Sequence, residues 1–210
     1  MKRCEVKKRF DGYLPVVIDV ETTGVDAKKN GLLELAAVYI DYSDTGALQP
    51  ATEHFSKHIK PYDGCEIDAE ALRINGIKPG HPFRAIISVG EAEALSGLFD
   101  YISSALKQTG CRRGLLVGHN AHFDLSFIQA AMARNGIKKS PLHAFTVMDT
   151  ATIAGVFFGK TVLAKALRVA GIEFDKNEAH SALYDTIKTA ELFCQAVNQV
   201  VMPSNDAEIT

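Results

Sequence analysis

The chain reads as an α/β domain, and three features say so: short β-branched apolar runs early in the sequence, stretches with helical apolar spacing later, and cap residues at the ends of most of those stretches. Pro15 to Val20 is an apolar run closed by Glu-Thr-Thr-Gly, as expected of a buried central strand and turn. Residues 32–41 (LLELAAVYID) form a second strand candidate, Ser43 to Gly46 a turn and residues 52–60 a third strand, so the chain opens as an antiparallel meander. Leu115 to Val117 is another short strand, and Phe145 to Met148 a further extended piece.

Helical signals dominate the rest. Residues 68–75 begin at Asp68, carry Glu70 early and stop at Gly76. Residues 88–109 begin at Ser88 with Glu91 three positions on, a capping box, and end at Gly110. Phe123 to Asn135 stops at Gly136, Thr161 to Ala170 at Gly171, and Ser181 to Val200 before Pro203. In the last of these, Leu183, Ile187, Ala190, Leu192, Phe193 and Val197 make a core-facing stripe. There is no internal repeat or low-complexity segment. One domain over residues 1–210 is expected, with about 204–210 a disordered tail.

A chain of 210 residues buries a core without staples. Its longest apolar stretch is far short of the ~20 residues of a membrane span, and the basic start MKRCEVKKRF leads into no signal-like region. A soluble, cytoplasmic protein without a membrane partner is expected. Cys4, Cys65, Cys111 and Cys194 are scattered with no CxxC pair, which argues against a zinc site or a disulfide framework and for reduced thiols.

Five residues carry the chemistry: Asp19 and Glu21 in VVIDVETTG, Asp124 in GHNAHFD, and His180 and Asp185 in HSALYD. A spacing of two in a strand puts Asp19 and Glu21 on one face. Asp124 falls in the first turn of a helix that follows a strand. The five-residue offset from His180 to Asp185 is about 140° beyond one helical turn, so His180 belongs to the preceding loop.

Singly, each of these residues has a plainer reading. Glu21 is a turn residue, Asp124 a helix N-terminal acid and Asp185 a surface acid; only Asp19, an acid in an apolar strand, stands out by itself because burying an unpaired carboxylate is costly. Jointly they describe a two-metal phosphodiester hydrolase. Magnesium prefers oxygen ligands, four carboxylates can hold a pair of ions about 3.5–4 Å apart, and a histidine, titrating near neutrality, serves as general base. His119 and Asn120 read as loop-shaping hydrogen bonders, since a hard-ion site favours oxygen over imidazole. Asp149 either caps the helix that begins at Thr150 or stands behind the site as a supporting acid.

Net charge is −2, yet four of the 25 acids belong to this set, and basic residues cluster. The clusters are Lys2, Arg3, Lys7, Lys8 and Arg9; Lys107, Arg112 and Arg113; and Lys138 and Lys139. Each is either an ordinary solvated face or part of a nucleic-acid path, and beside the acid set they lean towards nucleic acid.

Asp19-x-Glu21-Thr-Thr-Gly, His119-Asn-Ala-x-Phe-Asp124 and His180-x-x-x-x-Asp185 resemble the three motifs of the DEDDh family of 3′-to-5′ exonucleases. The resemblance implies a ribonuclease-H-like fold, a mixed sheet flanked by helices. It further implies that Asp19, Glu21, Asp124 and Asp185 hold two Mg2+ per subunit, with Mn2+ as a substitute, and that His180 is the base. PVVIDVET, EALRINGI, AHSALYDT and ELFCQAVN resemble more narrowly a homodimeric branch that trims the 3′ ends of tRNA and other stable RNAs, rRNA precursors among them, and also degrades single-stranded DNA. In that branch basic patches of one subunit feed RNA to the other; Arg9, Lys107, Arg113 and Lys138 match them, while Asp11 stands where the pattern can carry Arg.

The same branch holds terminal bases with four phenylalanines and a glutamate. Phe123, Phe145 and Glu70 match, and Val25 and Ile74 occupy the other two positions. Aromatic stacking is worth about 1–3 kcal/mol per base and aliphatic side chains do not supply it, so a weaker terminal grip and altered discrimination against 3′-terminal cytosine are expected. Two other readings share these features: a proofreading exonuclease subunit of a DNA polymerase, and a catalytically silent single-strand-binding module.

Overall fold

The structure of the protein, a computed structural model, describes residues 6–200. Lys2, Arg3, Cys4 and the tail expected to be disordered at 204–210 lie outside the described residues. A short helix α1 (Val6–Arg9) leads into β1 (Tyr13–Thr22). Leu14, Val16, Val17 and Ile18 are fully buried whichever way they point, so both faces of β1 are covered.

The strands that follow are β2 (Leu32–Tyr42), β3 (Leu48–Pro50), β4 (Phe55–His58), β5 (Arg113–Gly118) and β6 (Leu142–Asp149). They form a mixed sheet in the order β3-β2-β1-β5-β6, with β4 also pairing β2. β2 is antiparallel to β1, β3 and β4, whereas β5 runs parallel to both β1 and β6. The helices are α2 (Ala69–Asn75), α3 (Pro82–Ile87), α4 (Glu91–Thr109), α5 (His122–Arg134), α6 (Thr150–Phe158), α7 (Leu163–Ala170) and α8 (Ala182–Asn198).

α8 packs on β1, β2 and β3 and is joined by α6 and α7, while α4 and α5 pack on β1 and β5. Phe127 of α5, Phe193 of α8 and Ile102 of α4 are fully buried between these layers, each contributing roughly 1.5–3 kcal/mol by leaving water. A smaller cluster of Ala154, Ala166, Leu167 and Leu192 joins α6, α7 and α8. Among the described residues no helix is long and apolar enough to cross a membrane.

The mixed sheet and the helix ends at Gly76, Gly110 and Gly171 agree with the sequence reading; all three glycines take left-handed backbone conformations. Four details differ. The third strand expected over 52–60 is the shorter β4, and β3 precedes it outside that range, because the long β2 offers separate pairing segments at Ile40–Tyr42 and Glu34–Ala37 and the chain steps from one to the other. The long helix begins at Glu91 with Gly90 as its cap, not at Ser88, which instead ends α3. Val89 between them is extended, donating to the His58 carbonyl and accepting from the Lys60 amide, so no helix can run through it.

The expected capping box fails for a second reason. Glu91 is 5% exposed and its carboxylate turns to Arg134, at 2.7 and 3.0 Å, rather than back to the Ser88 amide. The Thr161 helix starts later, at Leu163 with Val162 as cap. On α8 the buried face is Ala182, Thr186, Thr189, Ala190, Phe193 and Ala196 with Leu192 and Cys194, so Leu183 and Ile187 of the expected stripe are only half-buried. Close approach of α8 to the sheet selects the small residues.

Candidate active site

Asp19 and Glu21 stand two apart near the end of β1, as their spacing requires. Asp124 lies in the first turn of α5, 3% exposed, and its Oδ1 accepts the amide of Val20, the residue between the two strand acids, at 3.1 Å. The turn from β5 into α5 is tightly specified. A Cβ on Gly118 would meet Asp124 Oδ2 and the Ala121 backbone at 3.1 Å, and Asn120 takes a left-handed φ of 69°.

Asp149 explains how that turn is held. It caps α6 by accepting the Ala151 amide at 2.8 Å, and it accepts the amides of Asn120 and Ala121 at 3.3 and 3.0 Å. The two alternatives left open for it are thus met together: a helix cap that also braces the loop before Asp124. His119 is occupied at both ring nitrogens, with Nε2 2.8 Å from the Thr161 carbonyl and Nδ1 3.0 Å from the Thr150 hydroxyl, and burial pulls its pKa down. It shapes the loop, as expected.

His180 sits in the loop before α8, exposed and with a left-handed φ of 67°. Its amide donates to Asp185 Oδ2 at 3.1 Å, across the first turn of the helix. Glu21, His180 and Asp185 each place a potential ligand atom within 4.8 Å of the others. Asp185 Oδ1 is buried with no hydrogen-bond partner.

The electrostatics follow from packing four acids together. Burial, reinforced by Asp124, Glu21, Asp185 and Glu34, holds the Asp19 carboxyl well above the ordinary carboxylate range. Burial, then Asp185 and Glu34, pushes Glu21 up to about 8. Asp124 reaches about 8 by burial, against the Val20 amide that favours its charged form, and burial also raises Asp185. Such a cleft resists carrying all its charge unless cations enter it. Convergent oxygen donors, one of them orphaned, suit a hard divalent ion.

Glu34 escaped the sequence reading. It pairs directly with Glu21 across β1 and β2, and its carboxylate, 13% exposed, accepts from Arg84 Nη1 and His58 Nδ1, each at 3.0 Å. A signal existed: Glu34 is an acid within an apolar run, the same oddity that marked Asp19. Nothing in the sequence singles out Arg84.

The residues expected to meet substrate are more dispersed. Val25, Ile74 and Phe145 are 79%, 51% and 73% exposed, while Phe123 is half-buried against Phe127 with ring centroids 4.9 Å apart. Glu70 lies exposed in the first turn of α2, paired with Arg73 at 2.6 Å. α2 is moored to the site by Asn75, whose Nδ2 donates to the Thr22 carbonyl at the end of β1. The Val25 loop is moored as well: Asn30 fills the space a Cβ on Gly24 would need, and Arg134 donates to the Ala27 carbonyl at 2.9 Å.

Among the described residues, the basic groove is lined by none of the carboxylates. Arg113, Lys138, Arg112 and Lys139 line one groove beside the first residue of β5, and Lys107 is exposed in the last turn of α4. Arg113 is anchored to the Leu142 carbonyl at 2.8 Å. Arg9 is committed elsewhere, donating to the Val197 carbonyl at 2.6 Å near the end of α8.

Comparison with known proteins agrees with this geometry. The RNase_T exonuclease model matches residues 16–193. Ribonuclease T of two Haemophilus influenzae strains is 49% and 50% identical over 197 residues, covering 93% of this chain and 84% of each relative. Among solved structures, E. coli exonuclease I in complex with a dT13 oligonucleotide is similar with a TM-score of 0.66 at 19% identity, covering 86% of this chain but 40% of that one. A full-length 3′-exonuclease is similar with a TM-score of 0.68 at 16% identity, covering 89% of this chain and 82% of the other. These likenesses share the ribonuclease-H-like fold. With the exonuclease model spanning most of its length and relatives half identical to it, the chain belongs to the ribonuclease T family of exonucleases.

Proposed function

We propose that the protein is a divalent-metal-dependent 3′-to-5′ exoribonuclease that releases nucleoside 5′-monophosphates one at a time. Its substrates are single-stranded 3′ ends of tRNA and other stable RNAs such as rRNA precursors, with single-stranded DNA as a further substrate. It works as a cytoplasmic homodimer. The observation that carries this reading is the convergence of four acids whose mutual repulsion and burial call for cations, beside an exposed histidine.

Asp19, Glu21, Asp124 and Asp185 would hold two Mg2+, or Mn2+, and those ions supply stabilisation of the charge that builds on the phosphate oxygens. The residues of the chain do the rest. His180, on its loop, takes the proton from the attacking water, and the hydrogen bond from its amide to Asp185 keeps it at the site. Val25, Ile74, Phe123, Phe145 and Glu70 receive the terminal bases, and the basic groove with Arg113 and Lys138 holds phosphates further from the end. Lys107 extends that basic surface, whereas Arg9 contributes by fixing the end of α8.

Digestion of 3′-labelled RNAs that differ only in their last two bases, with and without Mg2+, tests the proposal. Label should leave first, as mononucleotide, only with metal, and a blocked 3′ end should prevent it. Internal cleavage of the blocked RNA, or release without metal, refutes it. A preference for mismatched DNA primer ends over 3′-overhanging RNA would favour a proofreading enzyme instead.

A further inference from the structure

The first turn of α8 has no side-chain cap of its own, unlike α2, α3 and α6. Ser181 occupies the cap position, but its side chain makes no capping hydrogen bond. The role falls to a residue 148 positions away: Glu34 Oε2 accepts the Ala182 amide at 3.4 Å. A carboxylate at a helix N-terminus satisfies an otherwise orphaned donor and complements the helix dipole.

Glu34 is itself held from two sides. Its Oε1 accepts from Arg84 Nη1 and from His58 Nδ1, and Arg84 also donates through Nη2 to the Leu33 carbonyl at 2.6 Å. β2, β4 and α3 therefore converge on one carboxylate, whose other oxygen meets α8 between His180 and Asp185. The same residue lies directly across the sheet from Glu21.

We infer that Glu34, posed by Arg84 and His58, is a positioning residue that sets the register of α8 against β1, and so the placement of Asp185 and His180 relative to Asp19 and Glu21. The inference deepens the nuclease reading and rests on it for its catalytic consequence. Its structural content, a strut between β2 and the start of α8, stands separately.

Glu34→Gln keeps the shape and breaks the chemistry. An amide has one acceptor and one donor end, whereas the site presents donors on both sides, so one end must face a donor whichever way it turns. Hydrogen exchange should accelerate at Ala182 and the amides of the first turn of α8 while α4 is unchanged. RNA hydrolysis should lose about 10- to 100-fold in kcat, with KM for single-stranded RNA held within about threefold. Arg84→Lys, which gives up one of the two anchoring contacts, should show the same pattern more weakly.

Wild-type exchange in the first turn of α8 would overturn the strut, and wild-type kcat with accelerated exchange would overturn its catalytic consequence. Acceleration throughout, α4 included, would reduce Glu34 to a general stabiliser and overturn the proposal too. If the unmutated protein does not hydrolyse RNA, the nuclease reading fails and the exchange result still decides the strut.

Discussion

The paired strands β1 and β5 have opposite characters at their two ends. Where they begin, Tyr13 sits beside Arg113, and Arg112, Arg113, Lys138 and Lys139 surround a groove. Where they finish stand Asp19 and Glu21, with Asp124 just beyond in the first turn of α5. Asp19 lies six residue rises along the strand from Tyr13, roughly 20 Å. A chain with a net charge of −2 thus carries a basic end and an acidic end on one rigid support. The basic end attracts a polyanion; the acidic end repels it until cations are present. Binding and hydrolysis should therefore be separable by mutation. Asp11, paired with Arg112 at 3.1 Å, tempers the basic end, though an exposed pair of this kind is worth little.

The largest effect expected from breaking this contrast is at the acidic end. Asp19→Asn should abolish hydrolysis while leaving most single-strand binding, measured by fluorescence anisotropy; persistent cleavage would sink the metal assignment. The next effect concerns protons. Glu21 and Asp124 keep theirs up to about pH 8 in the metal-free fold, mainly through burial, whereas unfolded carboxyls release them near pH 4. The folded state binds more protons across that window, so metal-free stability should be greatest at its acid side and decline as pH rises towards 8. Thermal melts from pH 5 to 8 check this, and added Mg2+ should raise Tm most at pH 8, because ligation displaces those protons.

Smaller effects sharpen the contrast. Val25→Phe with Ile74→Phe should add stacking of about 1–3 kcal/mol per base and change the relative trimming rates of RNAs ending in cytosine and adenine. Equal discrimination by the variant and the unmutated protein would dismiss the two positions as base contacts. At the basic end, Lys138→Ala should lower the slope of log affinity against log salt by about 1 with kcat on short substrates unchanged. A salt slope equal to that of the unmutated protein would remove Lys138 from the phosphate path.

Much of the candidate site was legible because one acid breaks a local rule and the others stand in recognisable places around it. Asp19 interrupts an apolar strand, and Asp124 and Asp185 occupy helix first turns whose ends are marked by turn residues. Glu34 breaks the same rule as Asp19 but lies in no motif with the others. Arg84 was illegible: its partners sit 50 and 51 residues back, and an Arg on a short helix looks like any surface cation. The Ser88 capping box was a false signal, outcompeted by strand pairing of Val89 and by the ion pair of Glu91 with Arg134.

The sequence alone determined the α/β class, the three acidic motifs and the loop position of His180, because apolar periodicity, caps and carboxylate spacing are local properties. Only the tertiary structure decided that Arg9 closes α8, that Asp149 caps one helix and braces a distant loop at once, and that Glu34 stands in for the missing cap on α8. Those outcomes depend on buried donors and acceptors finding partners, and a folded chain brings together partners that its sequence holds far apart.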